Sequence, residues 1–335
     1  QDMRTPLITS KRFAPLFWTQ FLSAFNDNFL KNTLVFLVLF QVVATGAETG
    51  NTGALIALAG AIFIVPYLFL SALGGELADK YDKSILARRT KAVEIAGAGI
   101  AVAGMLTASL PVLFAALFLF GCMSALFSPV KYGLLPEHLE SDELPRANAW
   151  IEAGTFLAIL TGTISAGLVF AADAPSLIFA PAMIVLAFAC YGMSRRIPQS
   201  IAASPSLKVD WNLLTSTWRI LGDLAGNRRL FKVALMNAWF WLVGSIVLAV
   251  LPLIVKDALG GDETAVTYFL TVFAVSIGIG SALAAWLSAG RVVLLPAPVG
   301  TLLIALFSAD IAWTLSSLPQ AATTAGLVEL LEREG

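Results

Sequence analysis

Runs of about twenty apolar residues recur along this chain, and nothing else in the sequence constrains the fold as strongly. The stretch ALIALAGAIFIVPYLFLSALGG, Ala54 to Gly75, is one of them. An α-helix needs roughly 20 such residues to cross the hydrocarbon core of a bilayer. By that rule spans are predicted over 14–44, 52–74, 85–107, 111–130, 147–170, 174–194, 230–255, 264–288 and 292–316. Charge supports the reading: 13% of residues are charged, against about 25% in a soluble domain. The expected class is an all-α polytopic membrane protein. The tail QAATTAGLVELLEREG opens a further apolar segment, too short and too acidic to span.

The same composition excludes several functions. A net charge of −1 gives no electrostatic footprint for nucleic acid. Cys122 and Cys190 lie far apart in apolar segments and read as small core residues. His138, the only histidine, falls in a charged loop, so neither a metal site nor a cofactor is expected. No Gly-x-Ser-x-Gly elbow, His-x4-Asp pair or phosphate-binding loop is present, which argues against catalysis by this segment. No basic–apolar–small cleavage pattern precedes the first span, so no removable signal peptide is expected.

Lysine and arginine set the orientation. All but Lys31, Lys256 and Arg333 fall on one side of the predicted spans: in the N-terminal tail and after spans two, four, six and eight. Lys80, Lys83, Arg88, Arg89 and Lys91 are counted to the segment after span two. This places the N-terminus in the cytoplasm. The chain divides into a six-helix half (1–194), a cytoplasmic linker (195–229) and a partial second half (230–335). The linker contains RRIPQSIAASPSLKVDW, followed by Trp211, Leu214, Trp218 and Leu221 at helical spacing, which predicts an amphipathic surface helix.

Six spans, a linker and a second set form the layout of a major facilitator transporter. Against a full second half, about three C-terminal spans are expected to be missing. The segment after the second span, GGELADKYDKSILARR, resembles the superfamily's Gly-x-Leu-Ala-Asp-basic-x-Gly-basic signature. Gly75, Leu77, Ala78, Asp79, Lys80 and Lys83 match; Asp82 stands where the family has glycine. Gly75 is expected to allow close helix approach. Asp79, Lys80 and Lys83 are expected to form a gate whose contacts differ between conformations. A solvated loop whose charges only set topology is the bland alternative.

Three further runs are more specific. Gln20 to Asn28 (QFLSAFNDN), Ser128 to Gly133 (SPVKYG) and Ala147 to Glu152 (ANAWIE) occur in this order. Together they resemble the bacterial lysophospholipid transporter family. The resemblance implies a bundle with a complete N-terminal six-helix half, in the bacterial inner membrane. It would carry lysophospholipid, such as lysophosphatidylethanolamine, to the cytoplasmic leaflet for re-acylation. It also allows an acyltransferase/acyl-carrier-protein synthetase as partner, in cis or in trans, and a basic residue in the seventh span. None stands between Val233 and Val255, where only Asn237 and Ser245 are polar.

The residues themselves point the same way. Gln20, Ser23, Asp27 and Lys31 share one helical face, with Asn28 at its border. Asp27 and Lys31 have the favourable i,i+4 acid-to-base order, predicting an ion pair. A charge at mid-bilayer costs about 2.5–3.5 kcal/mol on insertion scales, so this face is expected to turn inward. It would either lock the bundle or bind a zwitterionic head group or coupling cation. Lys131, at the end of the fourth span, suits a phosphate or a topogenic anchor equally. Glu152, with Asn148 and Thr155 on its face, reads as a site acid or a helix-start acid. Glu94 is a weaker candidate, because Lys91 can satisfy it; Tyr67 reads as a packing residue. Asp27, Asn28, Lys31, Lys131, Asn148 and Glu152 are therefore the candidate substrate or coupling-ion residues. Phe21, Phe25, Phe29, Phe127 and Phe156 are candidates for an acyl-chain wall. A facilitator for a small polar solute or drug, proton-coupled through Asp27 or Glu152, and a membrane scaffold for an acyltransferase are the alternatives.

Overall fold

The computed structural model describes residues 6–42, 52–172, 175–288, 296–317 and 326–328. Arg4, Arg291, Arg333, most of the apolar tail and the ends of three predicted spans lie outside them. Ten α-helices are described: α1 Ala14–Phe36, α2 Thr52–Lys80, α3 Lys83–Leu106, α4 Leu110–His138, α5 Leu144–Phe170, α6 Pro175–Ser194, α7 Leu213–Gly226, α8 Arg228–Leu253, α9 Glu263–Ser288 and α10 Pro296–Ser317. No strand occurs among the described residues. Each predicted span has its helix, and α7 is the helix predicted in the linker. Seven of the described helices are long and apolar enough to cross a membrane. The two remaining long helices are α1, with Asp27 and Lys31 along its length, and α3, with Lys83, Arg88, Arg89, Lys91 and Glu94. The protein is a multi-pass helical membrane bundle.

Two compact units are present, Gln1–Val247 and Leu248–Gly335. In the first, the packed pairs are α1 with α5, α2 with α4, α3 with α4, α1 with α6 and α3 with α6. Exchanging α1–α3 for α4–α6 maps this set onto itself. α1–α6 thus form two three-helix repeats, the internal symmetry typical of secondary transporters.

Small residues make the close crossings, as expected where lipid gives helices no hydrophobic drive to associate. At Gly121 of α4 a Cβ would lie 2.5 Å from the Phe63 carbonyl oxygen of α2. At Gly162 of α5 it would lie 2.7 Å from the Phe25 carbonyl oxygen of α1. These are symmetry-equivalent helix pairs. Where α2 nears α4 at its far end, Gly74 is the close-approach residue: a Cβ there would lie 3.0 Å from Pro129 Cγ and 3.1 Å from the Leu126 carbonyl oxygen. Gly75 has open space, so the expected role belongs to its neighbour.

The GGELADKYDKSILARR segment is mostly helix rather than loop. α2 runs to Lys80, α3 begins at Lys83, and only Tyr81 and Asp82 connect them. Asp82 has φ −56° and ψ 116°, and its carboxylate accepts a hydrogen bond from the Ser84 N–H. It is the N-cap of α3, a position that favours aspartate. The turn needs no positive φ, so the glycine of the family pattern is dispensable here.

That end of the bundle gathers the basic residues and is tied by polar contacts. Arg12 pairs with Glu143 at 3.0 Å. The Glu143 carboxyl lies below its ordinary pKa, first because the Glu140 N–H donates to it; slight burial opposes this, and Arg12 adds to it. Lys83 pairs with Glu137. His138 is not in a loop but ends α4, with its Nε2 3.3 Å from the Gln199 carbonyl oxygen. Beneath these contacts Leu7, Phe13, Leu16, Phe127, Val130, Leu134 and Ile197 form one apolar cluster.

In the second unit, α8 passes at Pro252 into a π-helical turn, Ile254–Ala258. Gly260 takes φ 68°. Asp262 then caps α9, accepting from the N–H groups of Thr264 and Ala265 and from the Thr264 hydroxyl.

Candidate functional site

The polar stripe of α1 faces inward, as its cost in lipid requires. Gln20, Ser23, Asn26, Asp27 and Asn32 are all buried, and each neighbour meets a different part of the stripe. Gln20 Nε2 donates to Thr155 Oγ1 of α5 at 2.9 Å. Asn32 Nδ2 donates to Thr163 Oγ1 of α5 at 2.9 Å. Ser23 Oγ accepts from Lys91 Nζ of α3 at 2.7 Å. Ser124 Oγ of α4 donates to Asp27 Oδ2 at 2.7 Å.

The predicted Asp27–Lys31 ion pair does not form. Lys31 Nζ donates to Asn28 Oδ1 at 3.0 Å, while Asp27 takes the Ser124 hydroxyl. The favourable i,i+4 order is overridden because α4 offers a donor across the helix interface. Asp27 Oδ1 is left buried with no hydrogen-bond partner among the described residues, as is Asn26 Oδ1 one position before it. A buried acceptor without a donor costs about 1–3 kcal/mol, so two adjacent ones call for an explanation.

Lys91 and Glu94 are the residues that sequence reasoning underrated. Lys91 was grouped with the charges outside the membrane; it is fully buried in α3, 2.5 Å from Glu94 Oε1. Its ammonium also sits 4.1 Å from the centre of the Phe127 ring. Through Ser23 the pair joins the α1 stripe. The signal was a charged pair spaced i,i+3 inside a helix otherwise rich in alanine and glycine. Ser124 carried no signal of its own, since a serine in an apolar helix is ordinary.

A second group lies nearer the basic end. Tyr132 donates its hydroxyl to Glu152 Oε1 at 2.6 Å. Lys131 Nζ stands 4.7 Å from the centre of the Tyr132 ring and has no hydrogen bond or ion pair among the described residues. α4 runs to His138, so Lys131 lies about two turns inside the helix rather than at its end. Asn148 is exposed one turn before Glu152, and its amide donates to the Leu144 carbonyl of its own helix at 2.9 Å. No group of three or more metal-ligating side chains occurs among the described residues.

Two of the five candidate wall residues are core. Phe29 is buried against Phe179, with ring centroids 5.3 Å apart, and Phe127 is buried under Lys91. Phe21, Phe25 and Phe156 are half-buried, and Phe156 stacks on Trp241 of α8 at 6.0 Å.

The candidate gate residues separate in the same way. Lys83 is buried in its pair with Glu137, and its backbone N–H donates to Ser200 Oγ at 2.9 Å. The Asp79 carboxylate makes no hydrogen bond or ion pair among the described residues; its backbone carbonyl accepts from the Ser204 N–H at 2.7 Å. Lys80 lies 5.6 Å from the centre of the Tyr81 ring. Helix capping in this segment is done by Asp82, which also accepts from the Ser200 N–H and hydroxyl. Burial works to raise the Asp82 pKa, but the hydrogen bonds from Ser84 and Ser200 outweigh it and hold the carboxyl below its ordinary value. Glu76, at the variable position of the signature, binds the linker: it accepts from the Asp210 N–H at 2.7 Å, Ser216 Oγ at 2.8 Å and the Arg219 guanidinium.

With this geometry in place, similarity to known proteins is informative. Residues 16–328 match the model of the Major Facilitator Superfamily. The chain is 30% identical over 316 residues to the lysophospholipid transporter LplT of Salmonella paratyphi B, covering 90% of this chain and 72% of that protein. The proteins of the same name from Salmonella newport and Salmonella heidelberg match over the same shares, at 30% and 29% identity. A helical half built from two repeats, a polar stripe turned inward and these matches agree: this chain is a membrane transporter, not an enzyme, and belongs to the major facilitator superfamily and, within it, to the lysophospholipid transporter family.

Proposed function

We propose that this protein is a flippase carrying lysophospholipid, with lysophosphatidylethanolamine as the type substrate, to the cytoplasmic leaflet of a bacterial inner membrane. There the product is available for re-acylation. The observation that carries the reading is the buried Asp27 Oδ1, without a partner among the described residues, on a helix whose run resembles that of the transporter family. An ethanolamine ammonium is a compact donor of three hydrogen bonds, and on the α1 stripe Asp27 Oδ1 and Asn26 Oδ1 are buried acceptors with no donor among the described residues. The phosphate of the same head group needs a cation a few ångströms away, and Lys131 has none of its hydrogen-bonding capacity used among the described residues. Asn28 and Lys31 border the ammonium subsite; Asn148 and Glu152 border the phosphate subsite. Glu152 keeps Tyr132, and with it Lys131, in place. The single acyl chain would lie along Phe21, Phe25 and Phe156.

Transport proceeds by alternating access, with the site exposed first to one leaflet and then to the other. The N-terminus faces the cytoplasm in this reading, because the basic end of the bundle carries the topogenic lysines and arginines. Uptake of labelled lysophosphatidylethanolamine by spheroplasts tests the proposal. Asp27→Ala abolishes uptake while leaving insertion and expression unchanged. Wild-type uptake by that variant removes Asp27 from the site. Inhibition by sugars or amphipathic cations, without inhibition by lysophospholipid, would point instead to a polar solute.

A further inference from the structure

Outside the polar stripe, a groove of about 200 Å³ opens on the flank of the first unit between α2, α3 and α4. Leu77, Leu86, Val93, Met123, Leu126 and Val130 supply its walls, and Gly74, where α2 closes on α4, forms its floor. Thr90, a polar residue of the wall, has its hydroxyl committed to the Ala87 carbonyl at 2.9 Å. The interior is therefore apolar throughout. At the rim stands Arg89, exposed and with no hydrogen-bond or ion-pair partner among the described residues. Its neighbour Arg88 is committed elsewhere, donating to the Ile197 carbonyl of the linker at 3.0 Å.

An unpaired guanidinium above an apolar slot, on the flank of a membrane bundle, has the chemistry of a lipid site. The slot takes part of an acyl chain, and the fork of the guanidinium takes a phosphate oxygen pair. We propose that this groove holds a resident diacyl phospholipid with a net-negative head group, drawn from the leaflet at the basic end. Charge selects the occupant. Arg89 lies among the basic residues of that end, and with no carboxylate paired to it an anionic head group is favoured over a zwitterionic one. The lipid fills the crevice between three helices beside the α2–α3 turn, so its occupancy supports the segment that carries the superfamily signature.

The test is lipid retention by the purified full chain. Delipidated protein in detergent is titrated with phosphatidylglycerol or with phosphatidylethanolamine of identical acyl chains, and bound lipid is counted by native mass spectrometry. Wild type retains phosphatidylglycerol in preference to phosphatidylethanolamine. Arg89→Gln, at an exposed site with no structural partner among the described residues, lowers phosphatidylglycerol retention about tenfold and phosphatidylethanolamine retention by less, so the preference between the two narrows; Arg89→Lys restores part of it. Val93→Trp, which fills the slot, lowers retention of both. Unchanged phosphatidylglycerol retention in Arg89→Gln overturns the proposal. So does displacement of the lipid by equimolar lysophosphatidylethanolamine, which would make the groove an entry path for transported lipid.

Discussion

Asp27 and Lys91 show how a buried charge is held when the solvent is lipid. Lys91 is enclosed by Glu94, Ser23 and the Phe127 ring, so each of its interactions is with protein. Removing one partner of such a pair leaves the other charge uncompensated, at about 3–5 kcal/mol. Lys91→Met is therefore expected to lower thermal stability in detergent by an amount of that order. Adding Glu94→Leu should recover most of it, and a double-mutant cycle on the melting curves measures the coupling. Asp27 is different, because only one of its oxygens is satisfied. Ser124→Ala would leave both without a donor, a loss of about 1–3 kcal/mol. It is expected to reduce lysophospholipid uptake more than it reduces expression.

Helices in this bundle are positioned by where a side chain is missing and by what the linker grips. Gly121 has a carbonyl 2.5 Å from where its Cβ would stand, and backbone cannot move aside as a flexible side chain can. Gly121→Ala is expected to cost about 1–3 kcal/mol in a thermal melt, whereas Gly75→Ala, with open space around it, should be silent. The linker adds a pH dependence. Asp82 holds Ser84 and Ser200 as a carboxylate, and its pKa is depressed in the folded protein. A depressed carboxyl contributes stability above its unfolded pKa, near 3.9, and that contribution is lost as pH falls through the folded value. A spin label placed by Ala203→Cys is expected to become more mobile only once the pH has fallen below the ordinary carboxyl range, through the depressed folded value. In Asp82→Asn it should be mobile throughout.

Transport requires the molecule to change which side its site faces, so contacts that join the first six helices to the seventh span matter most. Between Val233 and Val255 α8 carries no base to meet Asp27, and a contact it makes with α5 is aromatic: Trp241 stacks on Phe156 with an interplanar angle of 9°. Such a pair contributes about 0.5–1.5 kcal/mol beyond its buried area, enough to shift a two-state equilibrium several-fold. Trp241→Ala is expected to change the accessibility of an Asn28→Cys probe to a membrane-impermeant maleimide, with little change in melting temperature.

Most of the architecture could be read from the chain alone. A run of twenty apolar residues in lipid has one way to satisfy its backbone, so span positions follow from composition and length. The inward turn of the α1 stripe follows from the cost of charge in hydrocarbon. What partners those charges choose was decided by tertiary structure. Asp27 takes Ser124 rather than Lys31, Asp82 rather than Asp79 caps α3, and Gly74 rather than Gly75 makes the close crossing. The first and the last depend on a neighbouring helix within about 3 Å, and the second on the two-residue turn that sets Asp82 at the start of α3. Periodicity along one helix tells which residues share a face, but not which donor the facing helix will place against them.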